Sequence, residues 1–386
     1  MRHMTAIAAM LFIAGPFATG CGKKKEETAQ TPKETPNTAP KTETPVAPPK
    51  STVKPIPEGF FSVTPVLTVD DVDAALAFYE ANLGAKKRYT LAGPDGKPAH
   101  AEMIIGDSII MLEPSMDGRG TKSPKALGGT NGSLMVYVDD ADKTFATATA
   151  AGATVEMPLM DAFWGDRYGR IIDPFGHSWG IATHKEDVSP EQMRERAEAF
   201  IKDPKSVAAV IAKNPGKPAA AGSRPEGYHT VVPALVEADG AKAIEFYEKA
   251  FGAKQKTRMD MPDGSLMHAE IVIGDSIIMI GSEQPAMAAH KAPSHLGGTP
   301  LTLMLYVEDA DKVFAQAVAA GATVKDKLQD AFWGDRFGMV TDPEGHVWGI
   351  GTHKEDLTPE QINERMKAAF QKGAGAPPDQ GTPENQ

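Results

Sequence analysis

Cysteine is almost missing from this chain: Cys21 stands alone among 386 residues, which excludes an intrachain disulfide and any thiolate cluster around a metal. Positive charge is scarce too, with 40 Lys and Arg against 51 Asp and Glu, a net charge of −11. No stretch sets Lys or Arg among aromatics as a phosphate-backbone surface requires, so nucleic acid is not an expected partner. After the first twenty residues no run is apolar enough to read as a membrane span. What remains is 41% hydrophobic and 24% charged, ordinary globular material long enough for two cores.

The N-terminus reads as an export signal: Arg2, an apolar run from Ala6 to Ala18, then small residues before the cysteine. Ala18-Thr19-Gly20-Cys21 resembles the lipobox of bacterial lipoproteins, although Leu is usual where Ala18 stands. The resemblance implies acyl chains on Cys21 that hold the mature chain to a membrane of the cell envelope, and Gly22 points to the outer membrane. A plain secretory signal with an incidental cysteine is the alternative. Residues 21–56 are Lys, Glu, Thr and Pro with almost no large apolar side chain, a composition that cannot bury surface and behaves as a tether.

The chain then contains itself twice. PEGFFSVTPVLTVDD from Pro57 returns as PEGYHTVVPALVEAD from Pro225, an offset of 225 − 57 = 168. Asp161 to Asp187 returns as Asp330 to Asp356 with 20 of 27 positions the same. The expected organisation is a signal at 1–20, a tether at 21–56, a domain at 57–201, a linker at 202–224 with a helical stretch at Ser206 to Lys213, a second domain at 225–372, and a polar tail at 373–386.

Within a copy the periods give a strand (Ser62 to Val69), a helix (Val72 to Asn82) and strands around Lys87, His100 and Ile109. The order then restarts with a strand at Ser133 to Val138, a helix at Ala141 to Ala151, and strands near Val155, Tyr168 and Trp179. The fold class is α+β, with each copy two βαβββ modules whose sheets enclose a concave cleft. With FYEANLGA at Phe78 to Ala85, DPFGH at Asp173 to His177, and FWGDRYGRIIDPFGH before the last strand, the chain resembles the glyoxalase/bleomycin-resistance/dioxygenase (vicinal oxygen chelate) superfamily. MHAEIVIGDSIIMI and SHLGGTP are similar to its PhnB-like branch.

Metal-dependent members of that superfamily carry His, Glu or Gln at four inward strand positions. The matching residues here are Thr64, Met111, Ser133 and Gly180 in the first copy, and Val232, Met279, Thr302 and Gly349 in the second. Glycine offers no donor and a thioether is a weak one, so neither a metal site of the family type nor another cofactor is expected. One route to a divalent metal or to acid/base catalysis remains. His100 and Glu102, repeated as His268 and Glu270, lie two apart on a strand and share a face opposite Ala101 and Met103; a solvated or hydrogen-bonded pair is the plainer alternative.

In bleomycin-resistance proteins the Trp matching FWGDR lines the drug groove. That resemblance places Trp164 and Arg167, with Trp333 and Arg336, at the cleft rim, a flat face and a planar fork for a ligand; an Asp–Arg paired structural loop is the alternative. Tyr137 and Tyr306, beside Met135 and Met304, share the cleft wall with His184 and His353 on the last strand. Trp179 and Trp348 fall in the opposite register and belong to the core. Asp173, Asp342, Gly176 and Gly345 are read as turn residues, and Ser189 and Thr358 as helix caps. The expected protein is an exported, membrane-anchored lipoprotein whose two domains pair as a pseudo-dimer and bind a small molecule without metal. The alternatives are an enzyme (a lyase, isomerase or dioxygenase built around His100/Glu102 or His268/Glu270) and an interaction module.

Overall fold

The computed structural model describes residues 53–371 apart from 94–95, 116–120, 221, 223, 262 and 285–286. The export signal, Cys21, most of the tether and the 373–386 tail lie outside these residues.

The first repeat runs β1 (Val63–Val69), α1 (Val72–Asn82), β2 (Lys86–Ala92), β3 (Pro98–Ile105), β4 (Ser108–Pro114), α2 (Pro124–Leu127), β5 (Gly132–Tyr137), α3 (Ala141–Ala150), β6 (Thr154–Asp161), β7 (Asp166–Ile172) and β8 (Ser178–His184). The connection holds β9 (Glu186–Asp187), α4 (Pro190–Lys202), α5 (Val207–Lys213) and β10 (Lys217–Pro218). The second repeat follows with β11 (Val231–Glu237), α6 (Gly240–Phe251), β12 (Lys254–Asp260), β13 (Leu266–Ile273), β14 (Ser276–Ser282), α7 (Pro293–Leu296), β15 (Leu301–Tyr306), α8 (Ala310–Ala319), β16 (Thr323–Asp330), β17 (Asp335–Thr341), β18 (Val347–His353) and α9 (Pro359–Gln371). No described helix is long and apolar enough to cross a membrane.

Local chemistry accounts for the element ends. Asp71, Asp140, Asp239 and Asp309 each accept a backbone N–H three residues on and so start α1, α3, α6 and α8. Ser189 and Gln192 bond each other's backbone at the start of α4, and Thr358 and Gln361 repeat the arrangement before α9. The four-residue helices α2 and α7 carry too little periodicity to be read in sequence.

The pairing of the modules differs from the expectation that each copy closes its own cleft. One eight-stranded sheet has the order β16-β17-β18-β15-β1-β4-β3-β2 and the other β12-β13-β14-β11-β5-β8-β7-β6. Strand β1 therefore pairs antiparallel with β15, Thr64 against Met304, and β11 with β5, Val232 against Met135. Each sheet joins the first module of one repeat to the second module of the other, and the family-type quartets are Thr64, Met111, Thr302, Gly349 and Val232, Met279, Ser133, Gly180. The physical reason for the difference is that β5 and β15 carry nearly the same strand pattern, so the pattern alone does not choose between them as the partner of β1. Asn131 donates to the Leu301 carbonyl at 2.9 Å and accepts from its N–H at 3.0 Å, which ties β15 to the start of β5.

The sheets meet along a pseudo-symmetric seam. Ser62 N–H donates to Asp275 at 2.7 Å and Val63 N–H to Ser276 Oγ at 3.0 Å, while Thr230 and Val231 repeat both bonds to Asp107 and Ser108 at 2.7 and 2.9 Å. A cavity of about 10 Å³ there, no more than one water's room, shows how tightly it closes. The helix-side core is continuous through all four modules. In it Asp173 accepts from Tyr79 Oη at 2.7 Å and Trp179 Nε1 at 3.0 Å, and Asp342 likewise from Tyr247 and Trp348. Trp179 and Trp348 are fully buried, as their register requires.

Candidate functional site

The faces of the sheets turned away from the helices are concave, and strand alternation decides what stands on them. On β3, Ala101, Met103 and Ile105 are buried in the helix-side core, while His100 and Glu102 take the concave side. On β5 the same rule sends Met135 and Tyr137 to the concave side and Leu134 and Val136 to the core. One face gathers Val66, Met111, Met304 and Tyr306 with Phe60 and Phe337 against them. The other gathers Met135, Tyr137, Tyr168 and Val232 with Trp164, Tyr228 and Met279.

A buried carboxylate organises the rim of each face. Asp166, 1% exposed, accepts from Trp164 Nε1 at 2.9 Å and Tyr137 Oη at 3.2 Å, and meets His184 Nδ1 at 2.8 Å. Asp335 does the same with Trp333 at 3.0 Å, Tyr306 at 3.1 Å and His353 at 2.7 Å. A second carboxylate, Asp187 or Asp356, holds each outer imidazole nitrogen. The hydrogen bond to Asp166, against the opposing effect of burial, raises the His184 pKa, and Asp335 acts alike on His353. Burial pushes both tyrosine hydroxyls well above their ordinary value. Of the residues expected at the rim, Trp164, Tyr137, His184, Trp333, Tyr306 and His353 are thus brought together in two groups.

Arg167 and Arg336 are not among them. Asp166 faces the concave side, so its neighbour Arg167 must face the other. There it grips Asp142 on α3 through Nε at 3.0 Å and Nη2 at 2.7 Å; Arg336 grips Asp311 on α8 at 3.0 and 2.8 Å. The alternative of an Asp–Arg pair is right about pairing, but the partner is a helix carboxylate and not the loop's own.

The His/Glu pairs do share the concave side with the tyrosines. Glu102 binds Arg88 at 2.6 Å, and Arg88 lies 5.0 Å above the Phe60 ring. His100 stands 3.6 Å from both Glu102 and Glu113, and although burial alone would lower its pKa, the two carboxylates raise it to about 9. In the second repeat Tyr228 donates to Glu270, Lys256 lies 4.3 Å above the Tyr228 ring, and His268 stands 3.6 Å from Glu270. Burial would raise Glu270, but His268, Tyr228 and Lys256 hold it down at about 2. Sequence reading missed Phe60, Tyr228, Arg88 and Lys256; their matched positions in the two repeats were the available signal.

The superfamily's divalent metal does not fit these residues. A Cβ on Gly180 would lie 2.9 Å from Tyr168 Cε2, and one on Gly349 would lie 2.9 Å from Phe337 Cε2 and 3.0 Å from Met304 Sδ. Rings occupy the ground where a ligand side chain would stand. Among the described residues no three His, Cys, Asp or Glu side chains converge as a metal site. An open groove of about 290 Å³ lies outside the first rim, between Asp161, Gly165, Lys185 and Glu186 on one side and Ile211, Pro215 and Pro218 on the other.

Paired βαβββ modules sharing concave sheets define a superfamily architecture. The chain belongs to the Glyoxalase/Bleomycin resistance protein/Dioxygenase superfamily, whose sequence profile matches residues 62–181 and 227–350. An uncharacterised protein of Mycobacterium bovis is 43% identical over 138 residues, spanning 35% of this chain and 91% of its own. Protein YjdN of Escherichia coli is 30% identical over 122 residues, 29% of this chain and 80% of its own. Among solved structures, a point variant of glyoxalase I from Zea mays superposes with a TM-score of 0.50 at 15% identity, covering 75% of this chain and 94% of that one, a likeness of fold.

Proposed function

We propose that this chain is an envelope-anchored binding protein that holds flat, largely apolar small molecules on its two composite concave faces, without a metal. The observation that carries the reading is the duplicated rim, in which a buried Asp fixes the edge of a half-buried Trp beside Tyr and His above a wall of Met and aromatic side chains. An indole fixed by its N–H and set edge-to-face against its neighbouring rings gives the rim a rigid flat apolar surface, and methionines adapt to differing ligand outlines. Export and acylation at Cys21 would place both faces outside the cytoplasm at the end of the tether.

The test is calorimetric titration of the full chain with a neutral, a cationic and an anionic flat aromatic: 2-naphthamide, proflavine and 2-naphthoate. Saturable binding of at least one, weakened by Trp164→Leu or Trp333→Leu, is expected. No saturable binding below millimolar concentration of any of the three removes the reading.

His100 supports a second reading, an enzyme with an acid/base site. Only 22% exposed and set between Glu102 and Glu113, it keeps its proton at neutral pH and could deliver it to a substrate. A stoichiometric divalent metal in protein purified without chelator, lost in His100→Ala/His268→Ala, would move the assignment to an enzyme built on these pairs.

A further inference from the structure

The two concave faces carry the same rim but different floors. On β7, Arg170 shares the concave side with Asp166 and Tyr168 and stands opposite Gly180. Its counterpart in the second repeat, opposite Gly349, is Met339. Around Arg170 lie Glu156 and Ser178, whose counterparts are Lys325 and Val347. A guanidinium therefore stands in the floor of the face built from β5–β8 and β11–β14, and a thioether stands in the other.

That guanidinium is largely unspent. Its Nε donates to Tyr168 Oη at 3.1 Å and one Nη1 hydrogen points to Met287 Sδ at 3.6 Å, a weak acceptor. Glu156 lies 3.8 Å from Nε, beyond hydrogen-bond reach, because its two oxygens are held by His290 Nε2 at 2.7 Å and Ser178 Oγ at 2.9 Å. The Nη2 edge has no hydrogen-bonded partner among the described residues, although the side chain is only 17% exposed. A guanidinium carries five donors in a planar fork, and the unpaired Nη2 edge reaches solvent, where a ligand acceptor can meet it. The other negative charges on this face are already covered, Glu270 by Tyr228, Lys256 and His268 and Asp166 by Trp164, Tyr137 and His184, and do not stand free to repel an anion.

We infer that the two faces differ in ligand chemistry: the face containing Arg170 selects aromatic carboxylates, with the ring between Trp164 and the methionine wall and the carboxylate on the Nη2 edge. The inference rests on the binding reading above and adds the ligand class and the selecting residue. The face containing Met339 lacks that fork.

The experiment is calorimetry on the full chain with 2-naphthoate and its neutral analogue 2-naphthamide, for the wild type, Arg170→Met and Arg170→Lys. The wild type should bind one naphthoate per chain in preference to the amide. Arg170→Met should weaken naphthoate by roughly ten- to a hundred-fold, the usual weight of a charge-assisted pair, and leave the amide within about two-fold. Arg170→Lys, which keeps the charge and so protects folding, should fall between. If naphthoate and naphthamide bind the wild type alike, or Arg170→Met weakens both equally, the selection is overturned while the binding reading stands. If neither compound binds, this inference falls, and the proflavine arm above decides the binding reading.

Discussion

Asp166, like Asp335 on the other face, gathers three side chains of its rim, and its removal gives the sharpest test of how the rim is held. Asp166→Ala strips an acceptor from Trp164 Nε1, Tyr137 Oη and His184 Nδ1 together. Trp164 is half-buried and water can replace its bond. Tyr137 at 7% and His184 at 8% exposure cannot be so easily rewetted. Each buried donor left without its charged acceptor costs about 1–3 kcal/mol, and removal of one partner from a buried charged group costs about 3–5 kcal/mol. Because Asp187 still holds the far nitrogen of His184, the expected loss is about 3–4 kcal/mol. Urea unfolding followed by tryptophan fluorescence and circular dichroism measures it, with Asp142→Ala as the comparison, since that variant breaks only the solvent-facing grip on Arg167 and should change the midpoint little. The reasoning fails if Asp166→Ala and Asp142→Ala shift the midpoint by the same amount.

Three further outcomes follow from the same geometry. Cutting the chain by a protease site inserted near residue 222 should leave the two repeats co-eluting at micromolar concentration, because each sheet is closed by strands of both; elution as two separate monomers would show the pairing to be wrong. His100, raised from 6.5 to about 9, stabilises the fold fully below pH 6.5 and loses that contribution as pH rises through about 9. The contribution is up to about 3 kcal/mol, so the wild type should lose urea resistance between pH 7 and 9.5 more steeply than His100→Gln, and parallel curves would refute it. Trp179→Ala, emptying a fully buried site beside Tyr79, should cost about 3–5 kcal/mol, whereas Trp164→Ala should cost far less and quench ligand binding instead; equal thermal shifts in the two variants would contradict their assignment to core and rim.

The order of strands and helices was legible because period and caps are local. Alternation on β3 put His100 and Glu102 on one face, and the structure keeps them there. The same rule, applied to β7, would have turned Arg167 away from Asp166; the loop-like reading of FWGDR concealed that the strand begins at Asp166. Module pairing was not legible at all, since two near-identical repeats offer near-identical edges. The rings over Gly180 and Gly349 were equally hidden, because a glycine in sequence says nothing of what lies across the space it leaves.

The crossed strand order also changes what divergence between the two copies can accomplish. A substitution in the front half of the first repeat and one in its back half alter different faces, while changes in the front of one repeat and the back of the other meet on the same ligand. The unit that can acquire a chemistry of its own is therefore a diagonal pair of quarter-chains, and Arg170 meets Met287 of the other repeat, 117 residues further along. Setting one repeat beside the other, residue by residue, compares the corners of two different rooms.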